Sequence, residues 1–196
     1  IPRQNIDDSV RESFFREARA AAQLNHPNII SIHEVGSDDD AAFIVSDFVQ
    51  GTDLRAWLSG FTPTPIQAAE ICKSIALGLH HAHESGVVHR DLKPANIMMD
   101  LNDQPQIMDF GLAKRESGEA SMTVQGEILG TPAYMSPEQA RGESYKVDRR
   151  ADIYSFGVLL FEILTGEKPF RGDRKVLLIN ILNQEAPRLR SLKTSI

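Results

Sequence analysis

Cysteine occurs once in the 196 residues, at Cys72, so no internal disulfide framework can form and the chain suits a reducing compartment. Long apolar runs are also missing. The longest, Phe156 to Leu164, is interrupted by Glu162 and is too short to span a bilayer. No basic-then-apolar leader opens the chain, which starts at Ile1 rather than Met, so the expectation is no signal peptide and a missing or processed N-terminus. Positive charge is in deficit: 21 Lys+Arg stand against 27 Asp+Glu, a formal charge of −6, which argues against nucleic acid or an anionic membrane as the main partner. None of the 13 glycines has another two positions away, and no Gly-x-x-x-x-Gly-Lys-Ser/Thr occurs. Both common glycine-rich phosphate cradles are therefore absent. No repeat of 20 to 50 residues is evident. What remains is ordinary globular composition, 41% hydrophobic and 24% charged, with enough chain for one core.

Periodicity divides the chain coarsely. Val10, Phe14, Ala18 and Ala21 predict a helix from Asp8 to Leu24, broken by Asn25 to Asn28 with Pro27. Ile29 to Val35 and Ala41 to Val49 read as strands, with Gly36 to Asp40 as a hairpin turn. Thr64-Pro65-Ile66-Gln67 is a capping-box pattern that opens a helix to about Ser85, stopped by Gly86. Ile71, Ile75, Leu79 and Ala82 line one face of it. Short apolar pieces follow at Val87-Val88, Ile97 to Met99 and Gln106 to Met108. A nearly all-apolar helix from about Asp152 to Leu164 ends at Gly166 and is expected to be buried. The order is α+β rather than a βαβ alternation.

Chemistry-bearing residues cluster in the middle. His89-Arg90-Asp91-Leu92-Lys93-Pro94-Ala95-Asn96 has the His-Arg-Asp-x-x-x-x-Asn spacing, and thirteen residues after Asn96 comes Asp109-Phe110-Gly111. Gly130-Thr131-Pro132-Ala133-Tyr134 and Ser136-Pro137-Glu138 follow in order. Alone, each aspartate is an ordinary turn or cap residue, and Asp152 is an ordinary first-turn acid. His80, His81, His83 and His89 lack the second pair that would complete a tetrahedral metal set. Together, the four motifs resemble the protein-kinase family across essentially the whole chain, most closely its bacterial Ser/Thr branch.

That resemblance implies a two-lobe fold, with 1–49 as a partial N-lobe and 50–196 as a partial, mostly helical C-lobe. It implies ATP with Mg²⁺ or Mn²⁺ as cofactors and Ser/Thr hydroxyls of proteins as acceptors. Asp91 is then the catalytic base and Lys93 the cation on the γ-phosphate. Asn96 and Asp109 are metal ligands, and Thr131 braces Asp91 and Lys93. Ser46 becomes the gatekeeper, Asp47 and Val49 the adenine-binding hinge, and Met98 the adenine floor. Asp53 either holds the ribose or caps the next helix. Glu17 pairs with a strand lysine on the phosphates. His89, Phe110, Glu138 and Asp152 are structural. Arg90 and Lys114 hold a phosphorylated loop, with Thr123 and Ser121 as acceptors and Glu127 as a partial mimic. The first lysine is Lys73, so the strand lysine and glycine loop are expected upstream of Ile1, and the chain reads as an internal fragment in a cytoplasmic protein. Uncovered apolar faces are expected at Leu177, Leu178 and Ile181. A catalytically silent binding module and a small-molecule kinase of the aminoglycoside type are the competing readings. The docking segment from Thr131 to Glu138 favours protein substrates.

Overall fold

The computed structural model describes residues 8–38, 41–110 and 132–193. Helix α1 (Asp8–Ala21) buries Ala18 and Ala21 and stops a turn short of Leu24. Ahead of Pro27 the backbone tightens: Gln23 donates to Ala20 and Leu24 to Ala21, contacts three residues back rather than four. Strands β1 (Ile32–Asp38) and β2 (Ala41–Ser46) form an antiparallel hairpin with Val35 opposite Ile44 and Asp38 opposite Ala41.

The expected turn at Gly36 is therefore corrected. Gly36 and Ser37 are strand residues opposite Phe43 and Ala42. The Phe43 ring lies across Gly36, where a Cβ would sit 2.4 Å from Phe43 Cζ, so glycine serves packing here rather than turning. Ile29 leaves the hairpin altogether and bridges Ile107 in parallel.

A second sheet runs in the order β3 (Gly51–Asp53), β4 (Ile97–Asp100), β5 (Pro105–Ile107), all antiparallel. Val87-Val88, expected as a short apolar piece, forms no strand. Asp53 caps α2 (Leu54–Gly60) by accepting from the Ala56 N–H. Helix α3 (Pro65–Glu84) carries the full capping box: Thr64 Oγ1 accepts from Gln67 N–H, and Gln67 Oε1 accepts from Thr64 N–H. Its expected face, Ile71, Ile75, Leu79 and Ala82, is buried.

Beyond the short α4 (Pro137–Ala140), α5 (Arg149–Thr165) ends at Gly166 with φ 76°. It starts a turn earlier than the sequence suggested, because Asp148 caps it. Asp152 is thereby an interior first-turn residue. Helices α6 (Arg174–Asn183) and α7 (Leu189–Leu192) follow.

Helix α3 packs on the second sheet and α5 on α3, around Ile75, Leu92, Ile97, Ile107 and Leu159, all fully buried. Each such side chain contributes roughly 1.5–3 kcal/mol. A satellite cluster joins Tyr134, Val158 and Phe170 to Leu177 and Ile181. The expectation of an uncovered face at Leu177, Leu178 and Ile181 is overturned for Leu177 and Ile181, which pack under the turn before α4, while Leu178 is half-buried. Val176 and Ile179 are the exposed apolar residues of α6. Among the described residues, no helix is long and apolar enough to cross a membrane.

Candidate active site

The segment between α3 and β4 has little regular structure, so its shape comes from side chains that catch its backbone. Asp152, wholly buried on α5, accepts the N–H groups of His89 at 2.8 Å and Arg90 at 2.7 Å. Its third donor is His83 Nε2 at 2.7 Å. Burial alone would raise the Asp152 carboxyl; the bonds from His83, His89 and Arg90 outweigh it and hold the group below its ordinary value. Arg90 sits at φ 67°, a left-handed conformation costly for a non-glycine residue, and this anchoring sustains it.

His89 is fully buried against Phe110, ring centroids 4.9 Å apart. Its Nε2 meets the Met108 carbonyl at 3.0 Å, and its Nδ1 meets the Asp91 N–H at 3.2 Å. One ring nitrogen must donate and the other accept, which selects the neutral tautomer protonated at Nε2. Burial pushes the His89 pKa down, in keeping with that form.

Four expected residues converge next. Lys93 Nζ lies 2.7 Å from Asp91 Oδ2. Asn96, at the end of the 3-10 turn Pro94–Asn96, donates to the Asp91 carbonyl at 2.9 Å and to Asp91 Oδ2 at 3.3 Å. The Asn96 carbonyl accepts from Met108 N–H at 3.0 Å, tying the loop to the residue before Asp109. Asp109, at φ 60°, has its pKa raised by burial, with Asp91 adding to the rise against His89 and Lys93.

Beside this cluster lies a cavity of ≈ 290 Å³. Asp47, Val49 and Met98 line it together with Ser46, Asp109 and Phe110. The segment leading from β2 is held in place by Asp47, whose N–H bonds to the Ser31 carbonyl at 3.0 Å. The Asp47 side chain meets His33 Nε2 at 2.6 Å, and hydrogen bonds from His33 and Ser31 hold its carboxyl below the ordinary value.

Two expected residues lie elsewhere. Asp53 does not line the cavity; its side chain caps α2 and faces Arg55 at 3.7 Å. Glu17 pairs with Arg90 Nη1 at 3.1 Å, not with a lysine. Glu138 sits in the first turn of α4 and bears electrostatically on Tyr154. Thr131, Lys114, Ser121, Thr123 and Glu127 lie outside the described residues. Among the described residues no group of three or more His, Cys, Asp or Glu side chains forms a metal site. His83 serves Asp152, and His81 stacks on His26 at 5.3 Å. Sequence reasoning missed His33 and His83 as functional neighbours. Their partners are 14 and 69 residues away and no local spacing marks them.

The chain matches the model of the protein kinase domain over residues 1–194. It is 43% identical to the serine/threonine-protein kinase PknB of Mycobacterium leprae over 175 residues, 87% of this chain and 28% of that protein. It is 38% identical to PrkC of Bacillus subtilis over 192 residues, 97% of this chain and 29% of that protein. The chain thus spans less than a third of the length of these curated relatives. Among solved structures, Rad53 in complex with AMP-PNP superposes with a TM-score of 0.71 at 31% identity, covering 87% of this chain and 43% of that one. The PknI kinase domain of Mycobacterium tuberculosis superposes at 0.70 and 27% identity, covering 96% of this chain and 66% of that one.

Proposed function

The chain belongs to the protein kinase family, and from that premise we propose that it supplies the catalytic centre of a Ser/Thr protein kinase passing the γ-phosphate of ATP to protein hydroxyls. One observation carries this reading: Lys93 and Asn96 both reach the Asp91 carboxylate, and Asn96 also ties that loop to the backbone preceding Asp109. Phosphoryl transfer asks for positioning and charge neutralisation more than covalent help, and this cluster provides both. Asp91 orients the acceptor hydroxyl and takes its proton. Lys93, already on the Asp91 carboxylate, neutralises charge on the phosphate as it moves.

The donor set fits a hard dication. Asn96 uses its amide nitrogen on Asp91, which leaves the amide oxygen for a metal, and the Asp109 carboxyl is raised where a nearby dication would lower it. Magnesium held by Asn96 and Asp109 would neutralise the phosphates of ATP. Adenine fits the cavity between Asp47, Val49 and Met98, which is near the lower end of ordinary ligand pockets. We divide the chain at residue 49 into N-lobe and C-lobe portions, with this cavity between them, and place its work in the cytoplasm. We assign Arg90 and Lys114 to the phosphate of a modified Thr123 or Ser121, with Glu127 as a partial mimic. Such a phosphate competes with Glu17 for Arg90.

The test is phosphorylation of a generic basic protein by the full-length protein, followed with radiolabelled ATP. Asp91→Asn and Asp109→Ala are each expected to lower kcat by about three orders of magnitude or more. Near-normal turnover in both variants overturns the assignment.

A further inference from the structure

Gln139, on the one-turn helix α4, makes a contact that the catalytic residues do not explain. Its Nε2 donates to the main-chain carbonyl of Arg90 at 2.7 Å, across 49 residues. Its Oε1 accepts from Ser136 N–H at 3.0 Å and lies 3.3 Å from Ser136 Oγ, closing the capping box of α4. The amide orientation follows from chemistry. A carbonyl needs a donor and an N–H needs an acceptor, so flipping the amide would spoil both ends.

The peptide unit between Arg90 and Asp91 is therefore gripped on both sides. Its carbonyl is held by Gln139 and its N–H by His89 Nδ1. The peptide unit before it is fixed by Asp152, through the Arg90 N–H. Two of these three anchors come from the loop itself and from α5. Gln139 alone comes from the segment that follows the Pro132–Tyr134 turn. That segment is in turn fixed to α5. Ser155 Oγ donates to the Tyr134 carbonyl at 2.7 Å, and the Tyr134 hydroxyl bonds to Glu162.

We infer that Gln139 is a positioning residue: it sets the plane of the Arg90–Asp91 peptide, and so the aim of the Asp91 carboxylate, according to whether the segment around α4 is seated. The inference rests on the reading of Asp91 as the base. Its physical content is that the left-handed Arg90 stores a strain which one hydrogen bond from α4 helps to hold. Unseating α4 removes that bond and lets the peptide turn. The base is then misaimed without any change to the nucleotide cavity, whose lining does not include Gln139.

Gln139→Glu separates the two jobs of the side chain. A carboxylate still accepts from Ser136, so the cap survives, but it offers no donor to the Arg90 carbonyl. In the full-length protein this variant is expected to lose about 10- to 100-fold in kcat with KM for ATP little changed. The deficit relative to the parent protein should shrink as pH falls and the new carboxyl gains a proton to donate. Hydrogen exchange should quicken at the amides of Arg90 and Asp91 while those of α4 stay protected. Gln139→Met, which loses both bonds, should expose α4 as well. A kcat within twofold of the parent's at every pH overturns the inference, as does unchanged exchange at Arg90 and Asp91. Absence of activity in the parent protein would refute the kinase reading instead, and exchange alone would then decide the role of Gln139.

Discussion

Asp109 carries its charge at a cost to the fold. Burial raises its pKa and Asp91 raises it further, against the opposing pull of His89 and Lys93. A carboxyl whose folded value lies above its unfolded value destabilises the native state once ionised, and the penalty fades as pH falls through the folded value. Asp109→Asn is therefore expected to raise Tm at neutral pH while, on the proposed reading, abolishing phosphoryl transfer, with the gain shrinking toward acid. Adding Mg·ATP should reverse the ranking, because only the aspartate gains from the cation. A thermal melt in which Asp109→Asn is less stable than the parent without nucleotide would refute this account. Asp109 was legible in the sequence because its signal is local: a fixed spacing from Asn96, with Phe110 and Gly111 beside it. Asp152 was legible only through the family resemblance, and its donor His83 not at all. Gln139 was not singled out in the sequence: its cap partner Ser136 lies within one turn, but nothing local points from α4 to the Arg90 carbonyl.

Local chemistry that stays within one element reads well, and contacts between elements do not. Thr64 and Gln67 predicted the start of α3 correctly because both partners of the cap lie within one turn. Thr64→Ala should cost about 1 kcal/mol in urea denaturation. Gly36 misled for the opposite reason: the Phe43 ring that lies over it arrives from the neighbouring strand. Strand β3 escaped notice because its three residues are ordered by β4 and carry no period of their own. Gly51 is the critical position there. A Cβ at residue 51 would lie 1.9 Å from the Met99 carbonyl oxygen, which is backbone in a paired strand and cannot step aside. Gly51→Ala is expected to separate β3 from β4 and destabilise the protein by about 1–3 kcal/mol or more. The cavity should suffer too, since Val49 leads into β3 and Met98 pairs with Asp53 at its end. Stability within about 0.5 kcal/mol of the parent's would show that the strands accommodate a methyl group.

Across the whole molecule, His89, His26 and Asp152 give the response to acid two stages of loss, which the fading penalty at Asp109 opposes. His89 has its pKa lowered by burial, against the opposing pull of Asp152, and His26 has its own lowered by burial and by neighbouring His81. In the unfolded chain both histidines return to about 6.5. As pH falls through that value the unfolded chain takes up protons that the native state still refuses, so stability is lost first there and levels off once the folded values are passed. Asp152 acts later and with the opposite shift. Its folded value lies below 3.8, so its contribution is complete above that pH and disappears as pH falls through the depressed value. By then its donors His89 and Arg90, on the segment between α3 and β4, lose their acceptor. Urea midpoints measured from about pH 8 to pH 3 should therefore show one decline starting near 6.5 and a second below 3.8. His26→Gln should make the first decline shallower and leave the second in place, because it removes one of the two histidine contributions without touching the α5 anchor. Asp152→Asn should do the reverse, lowering stability throughout and making the second decline shallower, the remainder coming from Asp47 and Asp148, whose carboxyls are also held below the ordinary value. In the Asp109→Asn background, where the opposing titration of Asp109 is gone, a midpoint that stays flat between about pH 7.5 and pH 5 would rule out the histidine stage.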